Sequence, residues 1–154
     1  MQKKNFLLLF FLFLSSCGYD AIYSKKNSTN YSFSISKLNF IGDRDVNLKM
    51  KERLNSYTLN KENKDFKIKI SSTSSKTVAA KDTTGDATSF KNTLIINVEI
   101  STNDKLKNSF VMSESFNYNN NSDKFSLKRY EREIKNNLAE TISEKLIFKL
   151  SNIQ

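Results

Sequence analysis

A chain of 154 residues with a formal charge of +9 contains no histidine, no proline, no tryptophan and a single cysteine. The missing histidines remove the commonest general base and transition-metal ligand, and one cysteine permits neither an internal disulfide nor a cysteine-based metal cluster. Three glycines cannot build a glycine-rich phosphate loop, so the composition points away from an enzyme and from any metal or cofactor. Aspartate and glutamate pairs remain (Asp43 and Asp45, Asp82 and Asp86, Glu131 and Glu133). Their places on loops and helix flanks fit solvated surface.

The basic excess has two readings. It suits an anionic partner such as an acidic lipid head group or a phosphorylated glycolipid. It also accompanies the Lys, Asn, Ile and Phe richness that AT-rich codons produce.

The first residues follow an export pattern. Lys3 and Lys4 precede an unbroken apolar run, Phe6 to Leu14, and then Ser15, Ser16 and Cys17. That run is too short for a bilayer core of roughly 30 Å. Export argues against nucleic acid as the partner. Leu14-Ser15-Ser16-Cys17 resembles the bacterial lipobox, which implies cleavage before Cys17 and acylation of Cys17. In the sorting rule that this resembles, Gly18 rather than Asp after the cysteine favours the outer membrane. The division expected is a signal peptide over 1–16, a lipidated N-terminus and tether over 17–32, and a single domain over 33–154.

Residues 24 to 32 are polar and aperiodic, as in a tether. Phe33, Ile35, Leu38 and Phe40 predict a strand whose alternation changes phase, with a bulge near Ser36 and Lys37. Gly42-Asp43-Arg44-Asp45 predicts a turn and a helix cap, with Asp43 or Asp45 supplying the oxygen. Val46, Met50, Leu54 and Tyr57 then share a helical face, in a helix ending near Asn60. Phe66-Lys67-Ile68-Lys69-Ile70 predicts a strand that runs on to about Lys81. Asp82 to Asp86 is a turn. Leu94, Ile96, Val98 and Ile100 predict a third strand. After a turn at Asn103-Asp104-Lys105, Phe110, Met112, Phe116 and Tyr118 predict a fourth, with Glu114 breaking its apolar face. Asn119 to Asp123 is a loop. Leu127, Tyr130, Ile134, Leu138, Ile142, Leu146 and Leu150 predict a long amphipathic helix, on the order of 37 Å. Glu131 and Lys135 are spaced as a surface pair on it.

The order β-α-β-β-β-α predicts an α+β two-layer sandwich, with two helices on one face of a four-stranded sheet. The other sheet face is rich in Ser, Thr, Asn and Lys. It suits either water or a polar partner.

The same order, with several short motifs, resembles the LptE family of lipopolysaccharide (LPS) assembly lipoproteins. Cys17-Gly18-Tyr19 with Ile22-Tyr23 is similar to that family's lipidated opening. Asn39-Phe40-Ile41-Gly42-Asp43-Arg44 is similar to its strand-to-helix junction, and Thr84-Gly85-Asp86-Ala87-Thr88 to its central hairpin turn. The long C-terminal helix matches in place and length. The resemblance implies a lipoprotein on the periplasmic face of the outer membrane. It would plug a large LPS-export β-barrel of the LptD kind, help it assemble and bind LPS, with no chemical step. It makes Lys81 and Lys91, which flank the hairpin turn, the first candidates for LPS phosphates, and Lys67 and Lys69 the second. Lysine meets phosphate as a point charge, without the two-pronged geometry of arginine. An accessory lipoprotein that carries lipid without a barrel is the alternative, and it would need an apolar cavity of several hundred Å³.

Overall fold

The computed structural model describes residues 33–59, 62, 64–103 and 105–153. The export leader, Cys17 and the tether up to residue 32 lie outside the described residues.

The chain forms β1 (Ser34–Gly42), α1 (Arg44–Leu54), a 3-10 turn (Asn55–Tyr57), β2 (Asp65–Lys81), β3 (Ala87–Thr102), β4 (Lys105–Asn119) and α2 (Lys124–Ser151). The four strands make one sheet in the order β1-β2-β3-β4. β1 and β2 are parallel, because α1 carries the chain back before β2 begins. β2, β3 and β4 follow as two antiparallel hairpins. Both helices lie on one face, giving the expected two-layer α+β architecture.

Period-two alternation decides what is buried. Phe66, Ile68 and Ile70 of β2 and Leu94, Ile96, Val98 and Ile100 of β3 point under the helices and are buried. Val46, Met50 and Leu54 of α1 meet them, as do Ile134, Leu138, Ile142, Leu146 and Leu150 of α2. Burying each such side chain contributes about 2 kcal/mol over leaving it in water. Phe33 closes the layer at its edge, stacked on Tyr57 with ring centroids 4.7 Å apart. The phase change in β1 is a register shift between Ile35 and Lys37, where the bulge was expected.

Four expectations need correction. α1 stops at Leu54, and the next three residues tighten into the 3-10 turn that delivers Tyr57 to Phe33. Tyr130 leaves the buried stripe of α2, 43% exposed and edge-on to Tyr118. Phe116 shares the helix-facing side of β4 but is 47% exposed. Glu131 and Lys135 do not pair along the helix, because each finds a partner on another element: Glu131 accepts from Lys76 and Tyr118, and Lys135 donates to Asp43. A fifth feature is explained. Glu114, the break in the apolar face of β4, is the acceptor for Lys145 of α2.

Candidate functional site

The junction Gly42-Asp43 ties all the layers together. Gly42 has φ +101°, and a Cβ there would overlap the backbone carbonyl of Ser72 on β2. Only glycine lets the strand turn so close to its neighbour. The next residue, Asp43, caps α1 by accepting from the backbone N–H groups of Asp45 and Val46. Its second oxygen accepts from the Ser74 hydroxyl at 2.5 Å and from Lys135 Nζ at 2.9 Å. One carboxylate thus joins α1, β2 and α2. Burial pushes this carboxyl up, but the hydrogen bonds from Ser74, Lys135 and Val46 and the Lys135 charge outweigh it, leaving a pKa of about 2.

Beyond the helices the sheet becomes a polar extension. β1 pairs with β2 only as far as Ser72, so from Thr73 onward β2 has β3 on one side and an open edge on the other. Every β2 residue from Ser75 to Lys81 is exposed. The last tie to α2 is Lys76, which donates to Glu131 and lies 3.8 Å from the centre of the Phe90 ring. Glu131 is raised by burial, yet the Lys76 and Tyr118 hydrogen bonds hold it below the ordinary carboxylate range. Five strand positions, roughly 17 Å, separate Lys76 from Lys81. The Asp82–Asp86 turn is closed on itself: Asp82 Oδ1 accepts from the Thr84 hydroxyl at 2.7 Å and from the Thr84 and Asp86 N–H groups. Those bonds, the Thr84 hydroxyl first, hold the Asp82 carboxyl below its usual range.

The candidate lysines are not all brought together. Lys81 sits opposite Ala87 and Lys91 opposite Thr77, both exposed. Ala87 and Lys91 are four strand positions apart, roughly 13 Å, so the two lysines flank the hairpin without converging. Lys67 and Lys69 do converge. With Lys37 and Asn39 of β1 and Glu99 of β3 they line a shallow hollow of about 200 Å³ on the polar sheet face. Lys69 Nζ is 3.1 Å from Glu99 there.

A cationic groove of about 400 Å³ on the other side of the sheet was not visible in the sequence. Lys76 on β2 and Lys128, Arg132 and Lys135 on α2 line it, together with Asp45 and Glu131. The spacing of Lys128, Arg132 and Lys135 places them on one helical face, but their meeting with Lys76 depends on how α2 crosses the sheet. A third, open groove of about 620 Å³ lies between the end of β4 and the start of α2, lined by Asn117, Asn119, Arg129, Tyr130 and Glu133 among others.

The rest of the polar face reads across the strands as Ser71, Asn97 and Val111, then Thr73, Ile95 and Ser113, then Ser75, Thr93 and Ser115. It is a hydroxyl and amide surface with few apolar side chains. Such a face forms many weak polar contacts and offers no deep pocket.

Neither a protein-family model nor a curated protein sequence matches the chain. Solved structures do. The minor lipoprotein from Acinetobacter baumannii superposes with a TM-score of 0.60 at 12% identity, covering 79% of this chain and 91% of its own. The rare lipoprotein B from Shewanella oneidensis gives 0.55 at 11%, covering 75% and 97%. Lipoprotein B from Nitrosomonas europaea gives 0.52 at 9%, covering 79% and 86%. This chain therefore shares its fold, across nearly the full length of each, with these bacterial lipoproteins.

Proposed function

We propose that this chain is a lipid-anchored outer-membrane lipoprotein of the LptE kind, which seats inside a large LPS-export β-barrel, helps it assemble and meets LPS on the way out. The observation that carries the proposal is the polar extension of the sheet on a fold shared with lipoproteins. A barrel lumen is polar, and a sheet face of Ser, Thr, Asn and Lys suits it better than an apolar face would. The sequence resemblance at Cys17-Gly18-Tyr19, at the Gly42-Asp43 junction and at the Thr84-Gly85-Asp86 turn supports the same reading. No step makes or breaks a covalent bond; the work is binding, positioning and folding assistance.

The lipid-carrier reading is less well supported. The three grooves described are open and lined with amides and charges, unlike an enclosed apolar cavity. The LPS phosphates are assigned to Lys81 and Lys91, with Lys67 and Lys69 second. The test is purification of the full chain from outer membranes, with mass spectrometry of what accompanies it. A single large β-barrel in stoichiometric amount supports the proposal; purification alone, under conditions that preserve barrel complexes, refutes it.

A further inference from the structure

We infer that the outer edge of β4 is a docking strand for an extended, acidic segment of a partner protein. β4 ends the sheet, and among the described residues no strand lies on its far side. Its register with β3 is unbroken from Asn108 opposite Ile100 to Asn119 opposite Ser89. The Asn120 N–H then donates to the Thr88 carbonyl at 2.8 Å, which extends the same ladder by one pair. Hydrogen-bonded and open pairs alternate in an antiparallel ladder, so the even-numbered residues of β4 turn their backbone groups to β3. Ser109 and every second residue up to Asn119 therefore turn N–H and C=O outward, over roughly 34 Å.

Edge strands invite pairing, and proteins blunt them with lysine, proline, bulges or short length. The open stretch of β2 carries Lys76 and Lys81, with register shifts between Val78 and Ala80 and between Ala80 and Lys81. β1 is 9 residues long and carries Lys37 and a shift of its own. β4 from Asn108 to Asn119 has no lysine, no proline and no register shift. Its one charged side chain, Glu114, is turned to Lys145 on the helix side. Among the described edges, this one is left open to a strand.

The surroundings name the occupant. An extended polypeptide presents N–H and C=O groups at ladder spacing, and side-chain pockets beside an edge select its sequence. Arg129 lines the groove at the end of β4, Lys145 reaches Glu114, and Lys149 lies 3.8 Å from the centre of the Phe110 ring. With Lys105 and Lys107 they outnumber Glu114 and Glu133, so acids on the added strand would be matched. The groove also holds Phe116 and Tyr130, both about half exposed, and suits one apolar side chain among those acids. A second copy would bring its own charge of +9, and residues 17–32 carry Lys25 and Lys26 against Asp20, so neither supplies the acidity. An acidic luminal segment of the proposed barrel would fit the edge, but the inference does not depend on that barrel.

The test uses the full chain, produced on its own in detergent solution. The probe is a synthetic peptide of alternating Glu and Thr in which Phe replaces the central Glu. Binding at low salt is expected, with slowed hydrogen exchange at the amides of Val111, Ser113 and Ser115. Lysine in place of every Glu should weaken binding at least about tenfold, and N-methylation of every peptide amide should abolish it. Ser113→Pro removes an outward N–H and no bond to β3, so it should fold as the wild type does and bind at least about tenfold more weakly. Arg129→Glu with Lys149→Glu should weaken binding about tenfold at low salt and little at 1 M, where the Debye length is about 3 Å. No binding, equal binding of the lysine or N-methylated peptide, or slowed exchange along β2 instead of β4 would overturn the inference. So would outward β4 amides that exchange, without peptide, as slowly as those of Met112 and Glu114. Slowing that grows with protein concentration would name a second copy as the occupant, and constant slowing would name residues 17–32. No barrel enters the test, so this inference and the barrel proposal fail independently.

Discussion

The two halves of β2 are built on opposite principles. From Phe66 to Ser72 every second side chain is buried beneath the helices. From Ser75 to Lys81 none is, although the backbone ladder to β3 continues. Apolar burial fixes the first half, while the second is held by strand pairing, by the Asp82 turn and by the Lys76–Glu131 tie. Stability and candidate function are therefore separable along a single strand. The covered half can tolerate little change, and the extension can be altered freely unless something outside the molecule contacts it.

Substitutions on the two sides of that divide test it. The largest effect is expected from Ile142→Asp, which buries a carboxylate with no partner and costs several kcal/mol, much of a small domain's stability. Val78→Asp, out on the extension, should shift stability by no more than about 0.5 kcal/mol. Comparable melting temperatures for the two variants would erase the distinction. The two glycines make the same comparison on the backbone. Gly42→Ala drives a methyl group into the Ser72 carbonyl and should cost about 3 kcal/mol or more, whereas Gly85→Ala, at φ +95° with open space around it, should cost about 1 kcal/mol.

A smaller effect is expected at the hub between the layers. Asp43→Ala removes a helix cap and its bonds to Ser74 and Lys135, and should cost about 2 kcal/mol in urea unfolding at neutral pH. Its pH dependence has a definite sign. The Asp43 pKa is lower in the folded state than the ordinary 3.8, so its contribution is complete above about pH 4 and is lost as pH falls towards 2. The wild type should lose more stability than Asp43→Ala over that interval; parallel curves would show that the carboxylate is not the hub. The smallest effect belongs to Lys81→Glu with Lys91→Glu. It should leave stability within about 0.5 kcal/mol and lower LPS binding at low salt, with the loss shrinking at high salt. Undiminished LPS binding would place the phosphate contacts elsewhere.

Much of this fold was legible in the sequence because its signals are local. Alternation in Ile68-Lys69-Ile70 and the three-four repeat from Ile134 to Leu150 each specify an element and its buried face. The break at Ser36 and Lys37 and the cap at Asp43 are equally short-range. What escaped depends on elements meeting. Glu131 and Lys135 are spaced as partners, yet Lys76 and Asp43 approach them from β2 and the α1 junction, and those contacts won. Tyr130 fits the apolar period but sits where α2 overhangs the end of β4, so it is half in water. The candidate lysines show the same limit. Nearness to a turn in sequence selected Lys81 and Lys91, which the hairpin keeps apart. The groups that converge are Lys67 with Lys37, and Lys76 with Lys128, Arg132 and Lys135, drawn from strands and helices distant in the chain.

The proposed plug would make the uncovered extension and the polar face contact surfaces for a barrel. Site-specific photo-crosslinking in living cells tests it most directly, with the probe placed in turn at Thr84 on the tip, Ser113 on the polar face and the buried Ile142. Adducts are expected from Thr84 and Ser113 to one large outer-membrane β-barrel and none from Ile142. Absence of any barrel adduct from Thr84 and Ser113, in cells where the protein is folded and anchored, would contradict it.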